Sequence, residues 1–267
     1  MFEKFKESKV IILLFIVIII WVILALIFGF TDLAISKSLV DETSPWGIFG
    51  KVFGEAPGYG LIAISLSVLI GSYENDIKKQ KISAYIIIFI GLVLLLLGLI
   101  YINQDLINDG ASITISLILF VIFTFNKDWE PFRKISMIIV ILAILNPLLF
   151  IQITKVLTGR IRFEDLAPGF TDYTPWFLPP GPISSGRSFP SGHTGMSFMF
   201  LPLLILIKDQ KWKKPVKIIT TFMVLGWAIF VGLSRIVVGA HFASDVLFSA
   251  GMASVITILL YEKIYLK

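Results

Sequence analysis

The sequence predicts an all-α fold, a polytopic transmembrane bundle of about eight helices. Three observations lead there. Of the 267 residues, 57% are hydrophobic and the mean hydropathy is +0.91, whereas a soluble domain is about 45–50% apolar. Apolar runs near the roughly 20 residues needed to cross a hydrocarbon core recur along the whole chain. These runs are continuous, whereas a membrane barrel alternates in segments of about ten residues. Without water in the bilayer, only helices and closed barrels satisfy the backbone, so the runs are read as helices.

Residues 10–30 form the first run and carry no charge. Lys4, Lys6 and Lys9 precede it, as they would in a signal peptide. The run is too long for a signal-peptide core and no small-x-small cleavage site follows, so it reads as a retained first helix. Further runs cover residues 56–72, 83–102, 111–125, 135–154, 193–207, 216–233 and 246–261, and 111–125 is short for a full span. The chain reads as one integral membrane domain over residues 1–267. The longest connection, residues 155–190, is rich in proline, glycine, serine and aromatic residues, as in Tyr173-Thr174-Pro175-Trp176. That composition suits a turn-rich surface loop near lipid headgroups.

The charges follow the same alternation. With the N-terminus in the cytoplasm, cytoplasmic segments hold Lys4, Lys6 and Lys9, then Lys78, Lys79 and Lys81, then Lys127, Arg133 and Lys134. Lys208, Lys211, Lys213, Lys214, Lys217, Lys263 and Lys267 complete the set, so both termini are expected on the positive-inside face. This accounts for the formal charge of +5 without a nucleic-acid partner. Lys37, Lys51, Lys155, Arg160, Arg162, Arg187 and Arg235 remain on the outer side. There is no cysteine, which excludes disulfides, thiolate metal sites and a thiol nucleophile.

Three clusters sit at helix ends on that outer face. Lys155 to Arg162 follows the fifth run. Ser188-Phe189-Pro190-Ser191-Gly192-His193 opens the sixth. Ser234-Arg235 closes the seventh, with His241 and Asp245 leading into the eighth. They gather cations, both histidines, a carboxylate and backbone amides, the makings of an oxyanion site and most economically a phosphate site. If the fifth helix continues, Lys155 and Arg162 share a face. His241 and Asp245 are four residues apart, so the carboxylate can hold one ring nitrogen and leave the other free to attack. The amides opening a helix at Ser191-Gly192-His193 lack internal partners and suit phosphate oxygens. Gly192 lets the backbone come close to an anion.

Each residue alone has a plainer reading. Lys155 could simply snorkel to headgroups. Arg162 and Arg235 could be interfacial anchors, Ser191 an ordinary N-cap, and His193 and His241 tolerated interfacial histidines. Asp245 is harder to dismiss, because a carboxylate opening a membrane segment needs a partner. Arg160 and Arg187 read as secondary cations of the substrate loop. Their gathering on one face favours the functional reading.

Lys155-x6-Arg162, Pro190-Ser191-Gly192-His193 and Ser234-Arg235-x5-His241-x3-Asp245 together resemble the three signature motifs of the type 2 phosphatidic acid phosphatase (PAP2) superfamily. The first motif departs from the family, since Phe163 stands where proline usually follows the arginine. Residues 31–58 only loosely resemble the loop after the family's first helix. The resemblance implies a core of about six helices, with the motif-bearing part at 135–261 and residues 83–126 an added pair. It implies that His241 is the nucleophile, Asp245 its orienting carboxylate and His193 the general acid. Lys155, Arg162, Ser191, Gly192 and Arg235 would bind the phosphoryl oxygens. No cofactor and no metal are expected. The expected partners are a lipid phosphate substrate and membrane lipids. The activity that the resemblance implies is metal-independent removal of a phosphate from a lipid phosphate or isoprenyl diphosphate at the outer face, through a phosphohistidine, and two alternatives stand beside it. One is a phosphotransferase in which a lipid hydroxyl resolves the intermediate. The other is a transporter with an outward anion site, disfavoured by nearly charge-free spans.

Overall fold

The computed structural model describes residues 2–266, with side chains from Lys9 onward. The side chains of Lys4 and Lys6, and Lys267 as a whole, lie outside the described residues. Every regular element among the described residues is helical, in agreement with the apolar runs. The first helix, α1 (Phe2–Leu39), has 38 residues and is about 57 Å long at 1.5 Å per residue. It runs past residue 30, where the apolar run ends. Thr31 returns its hydroxyl to the Ile27 carbonyl at 2.9 Å, and Asp32 is buried against partners described below. The segment 31–58 is therefore mostly helix. It holds the end of α1, then α2 (Pro45–Phe53) and the start of α3 (Ala56–Gly71). Pro45 and Pro57 sit in the first turns of α2 and α3, where no amide donor is required.

Helices α4 (Ile82–Tyr101) and α5 (Gln104–Thr124) form a hairpin. Ile102 adopts the left-handed conformation at φ 52°, and the Asn103 side chain accepts from the Leu106 amide at 3.0 Å. This cap extends helix through the polar stretch before residue 111, so the short run becomes a 21-residue helix. Gly91, Gly98 and Gly110 line the seam between the two helices, which lets the backbones approach closely. Next, α6 (Arg133–Ala143) passes through a π-helical stretch, Ile144–Ile151, into α7 (Gln152–Thr158). Pro147 lies in that stretch; a proline cannot donate to the ladder, and the wider register absorbs the break. Helix α7 stops at Gly159, which has φ +57°. Lys155 and Arg162 therefore do not share a helix face; a turn separates them.

The run at residues 193–207 is not one helix. It is α8 (Gly192–Ser197), a 3-10 turn (Phe198–Phe200) and α9 (Leu203–Asp209), with Pro202 at the cap of α9. Then come α10 (Lys214–Val237) and α11 (Ala243–Leu260), the latter extended by a π turn, Tyr261–Tyr265. Among the described residues, seven stretches are long and apolar enough to cross a membrane, one fewer than the eight runs. The broken segment still covers the same depth as α11. It begins where the Ser191 amide donates to the Asp245 carbonyl at 3.1 Å. It ends where the Tyr265 hydroxyl donates to Asp209 Oδ2 at 2.7 Å.

One core cluster joins α6, the broken segment and α11 through Ile138, Leu142, Met199 and Ala253, all fully buried. A second packs α3, α4 and α5 around Val68, Ala84, Leu117 and Trp129. At the end of the bundle away from Asp245, the Lys81 ammonium donates to the Lys127 carbonyl at 2.8 Å and lies 3.8 Å from the Trp129 ring. At that end too, Lys208 donates to the Tyr261 hydroxyl at 3.1 Å.

The α4–α5 seam is testable. A Cβ at Gly110 would fall against the Leu95 backbone and the Gly91 carbonyl. Gly110→Val should lower the melting temperature in detergent, in line with the 1–3 kcal/mol typical of overpacking, about 2 kcal/mol here. An unchanged melting curve would mean that the helices do not pack this closely.

Candidate active site

The site is built around Asp245 in the first turn of α11. Its carboxylate is fully buried, so every lone pair needs a donor. Oδ1 accepts from Arg160 Nη1 at 2.6 Å. Oδ2 accepts from the Ser188 hydroxyl at 2.5 Å and from the Phe242 amide at 2.8 Å. Three segments far apart in sequence thus meet on one carboxylate. Arg160 also reaches into α1, where its Nη2 donates to Asp32 Oδ2 at 2.9 Å. Asp32 in turn accepts from the Ser244 amide at 3.0 Å and from the Ser244 hydroxyl. The guanidinium lies 4.1 Å from the Phe242 ring centre and is 1% exposed. The expectation that Arg160 is a loop cation near substrate is overturned, because its charge is spent on two buried carboxylates. Arg187 is exposed on the loop.

His241 lies in the turn between α10 and α11, held by its amide, which donates to the Arg235 carbonyl at 3.1 Å. Its Nδ1 is 3.6 Å from Asp245 Oδ2 and makes no hydrogen bond among the described residues. The contact is therefore electrostatic and longer than the bond expected from the four-residue spacing. The reason is competition, since Oδ2 already accepts two short bonds. Burial lowers the imidazole pKa to about 3, against the upward pull of Asp245. The ring is neutral near pH 7, which leaves one nitrogen with a free lone pair.

His193 is on α8, one residue past the helix start at Gly192. Ser191 caps that helix, its hydroxyl oxygen accepting from the Thr194 amide at 3.4 Å. A Cβ at Gly192 would stand 3.3 Å from Lys155 Nζ and 3.4 Å from Glu55 Oε1, so the lysine and this glutamate flank the glycine. His193 Nδ1 is 2.8 Å from Glu55 Oε1, and its Nε2 is 3.0 Å from the Lys51 carbonyl oxygen.

Arg235, at the end of α10, is 3% exposed, and its Nε and Nη1 groups meet no acceptor among the described residues. A buried cation without hydrogen bonds is costly, which marks a seat for an anion. Arg162 pairs with Glu164 at 3.2 Å, and Lys51 lies 3.9 Å from the other oxygen of Glu164. Phe163, in place of the expected proline, stacks on Phe170 with ring centres 5.4 Å apart. Among the described residues, the structure brings Lys155, Gly192 and His193 into one group and Arg235, His241 and Asp245 into a second beside it.

Residues 135–266 match the profile of the PAP2 superfamily. The chain belongs to the PAP2 superfamily. No curated protein and no solved structure matches it. PAP2 membership makes this a phosphatase-type enzyme, and its helices make it a membrane protein.

The PAP2 match begins in α6, so three features of the site lie outside it. They are Asp32 on α1, Lys51 on α2 and Glu55 between α2 and α3. Sequence reasoning missed both acids. A carboxylate inside an apolar helix was the available signal for Asp32. Glu55, set between two apolar helices next to Pro57, gave a weaker one. A groove of about 490 Å3 opens from Lys155, Gly192 and Glu55 and continues along α3 and α6 to Leu66 and Val140. Leu66 is about 16 Å along α3 from Glu55 at 1.5 Å per residue, and most of the lining is apolar.

Titration of His241 gives a second prediction. The unfolded chain protonates this ring near 6.5 and the folded PAP2 site only near 3. Its contribution to stability is full above about pH 6.5 and is lost as the pH falls from there towards 3. The loss is at most about 1.4 kcal/mol per pH unit. His241→Gln should therefore show a smaller drop in melting temperature between pH 7 and pH 5 than the wild type. Equal drops would mean that the ring titrates alike folded and unfolded.

Proposed function

We propose that this enzyme removes a phosphate from a lipid phosphate or an isoprenyl diphosphate at the outer membrane face, without a metal and through a phosphohistidine. The observation that carries this reading is the Arg235 side chain. It is a buried guanidinium with two unpartnered nitrogens, at the end of the helix whose last carbonyls hold His241. Such a group is satisfied by an oxyanion, and arginine suits phosphoryl oxygens. Lys155, Arg162, the Gly192 amide and Ser191 would share the remaining oxygens. Charge stabilisation of this kind carries most of the catalysis in phosphoryl transfer.

The steps follow from the ring positions. The neutral His241 faces Asp245 with Nδ1, leaving Nε2 to attack phosphorus. The bond from phosphorus to the leaving oxygen breaks as His193 delivers a proton to that oxygen. Asp245, held by Arg160 and Ser188, stabilises the positive ring. Water then gives a proton to His193 and attacks phosphorus, the nitrogen–phosphorus bond breaks, and inorganic phosphate leaves. The apolar groove beside Lys155 and Gly192 supports a substrate with a long hydrocarbon chain. The outer-face placement is supported by the basic residues gathered at the opposite end of the bundle, Lys81, Lys127 and Lys208 among them.

His241→Ala should abolish phosphate release from detergent-solubilised lipid phosphates, in the presence of chelator, while the protein stays folded. Rapid-quench samples with radiolabelled substrate should show a phosphoenzyme in the wild type only. A labelled intermediate persisting in His241→Ala would sink the assignment.

Orientation is tested separately, on a chain with no native cysteine. Ser185 and Lys211 are both exposed. Ser185→Cys should react with an impermeant thiol reagent added outside intact cells, and Lys211→Cys should not. The reverse pattern would place the site in the cytoplasm.

A further inference from the structure

The His193 ring is held from both sides by groups outside the signature motifs. Glu55 Oε1 lies 2.8 Å from Nδ1, and the Lys51 carbonyl lies 3.0 Å from Nε2. Both partners are acceptors, an arrangement that only a doubly protonated ring satisfies on both sides. The two contacts differ in kind. The Lys51 carbonyl belongs to α2, whose lysine side chain is half exposed at 49%. Glu55 sits in the break between α2 and α3, and that break is tied down by α5. Asn108 Nδ2 donates to the Val52 carbonyl at 2.8 Å, and the Ser112 hydroxyl donates to the Ala56 carbonyl. The helix hairpin outside the family match thus fixes the backbone on either side of Glu55.

We propose that Glu55 is a positioning residue for His193. Its carboxylate holds the Nδ1 proton and so presents Nε2–H as the proton donor to the leaving oxygen. The inference rests on the phosphatase reading above and adds to it a residue from the part of the chain that the family profile does not cover. In this arrangement the site has two carboxylate–imidazole pairs. Asp245 serves the ring that attacks and Glu55 the ring that gives up a proton. The leaving oxygen takes the place of the Lys51 carbonyl at Nε2, while the Glu55 contact persists. No net charge is created by the exchange; the proton moves from Nε2 to oxygen as the phosphorus–oxygen bond breaks. The neutral ring then accepts a proton from water in the second half-reaction. The groups facing this pair are Lys155 from α7 and Arg235 from α10, which attract the carboxylate, and Tyr59 and Asp109, which lie within its electrostatic reach.

The chain has two histidines, so nitrogen-15 histidine NMR resolves the two rings, and His241→Ala assigns them. In the wild type, His193 Nδ1 should carry a proton throughout the neutral range. In Glu55→Gln the neutral ring should lose its preference for the Nδ1–H tautomer. In kinetics, Glu55→Gln should slow an alkyl phosphate by about ten- to a hundredfold, within the range that general acid catalysis supplies. An aryl phosphate, whose leaving group needs little protonation, should lose far less. Glu55→Asp, which keeps the carboxylate, should retain part of the rate. A His193 tautomer that is unchanged in Glu55→Gln would overturn the proposal, whatever substrate the enzyme proves to use. Equal losses with both leaving groups would overturn it too, because they would show a packing or binding role. A phosphoenzyme persisting in His241→Ala would instead strike the phosphatase mechanism, and the NMR comparison would still decide the Glu55 contact.

Discussion

Arg160 is the tie on which the rest of the site depends. Its guanidinium is removed from water and lies between two carboxylates that are also removed from water. Without it, Asp32 and Asp245 would be like charges facing each other in an apolar interior. With it, α1, the long loop and the start of α11 are held at fixed distances. Breaking one partner of such a buried set costs about 3–5 kcal/mol, so none of the three residues is free to drift. Ser188 closes the far end of the loop onto the same carboxylate. The loop is thereby ordered by polar bonds at both ends, with the Trp176 indole donating to the Ala25 carbonyl at 2.9 Å between them.

The arrangement divides the cations of the outer cluster into two kinds. Arg160 is neutralised by the protein itself. Arg235 is almost as buried but its Nε and Nη1 meet no acceptor among the described residues, and Lys155 is half-buried beside Gly192, while Arg162 is paired with Glu164. The difference comes from where the carboxylates fall. Asp32 and Asp245 both point at the loop arginine, while Glu55 and Glu164 are taken by His193 and by Arg162 with Lys51. A site that neutralised every cation would have no affinity for an anion. One that neutralised none would not fold around them.

The helical class and most span positions were legible because apolar runs of this length have one structural solution in lipid. The ends of the elements were less legible. The segment 31–58 resembles the family's loop only loosely, and Asp32 and Lys37 interrupt its apolar pattern, yet it is mostly helix and Asp32 has partners that a sequence does not display. The break at Pro202 was passed over because the residues on either side of it, 198–201 and 203–207, are all apolar. Local rules also misplaced Arg162, since Gly159 ends the helix that a seven-residue spacing assumed to continue. In the site, motif residues at helix ends stood out by type and spacing. Arg160 was misjudged because burial, and not residue type, sets its role. Glu55 was missed because its partner is 138 positions away in the chain.

The interrupted α8–α9 segment has a consequence for assembly. A 3-10 turn in the middle of a crossing leaves carbonyls poorly paired, and such a segment is a poor solute for bare lipid. Here it is surrounded by α3, α6, α10 and α11, which exclude acyl chains from the weak point. The neighbours on its C-terminal side are made after it. The enclosure of this segment is therefore complete only once α10 and α11 have packed against it. His193 at its head takes its ring contacts from α2 and the α2–α3 break, while the helix that carries it is enclosed by α10 and α11, so its position depends on the first part of the chain and on the last.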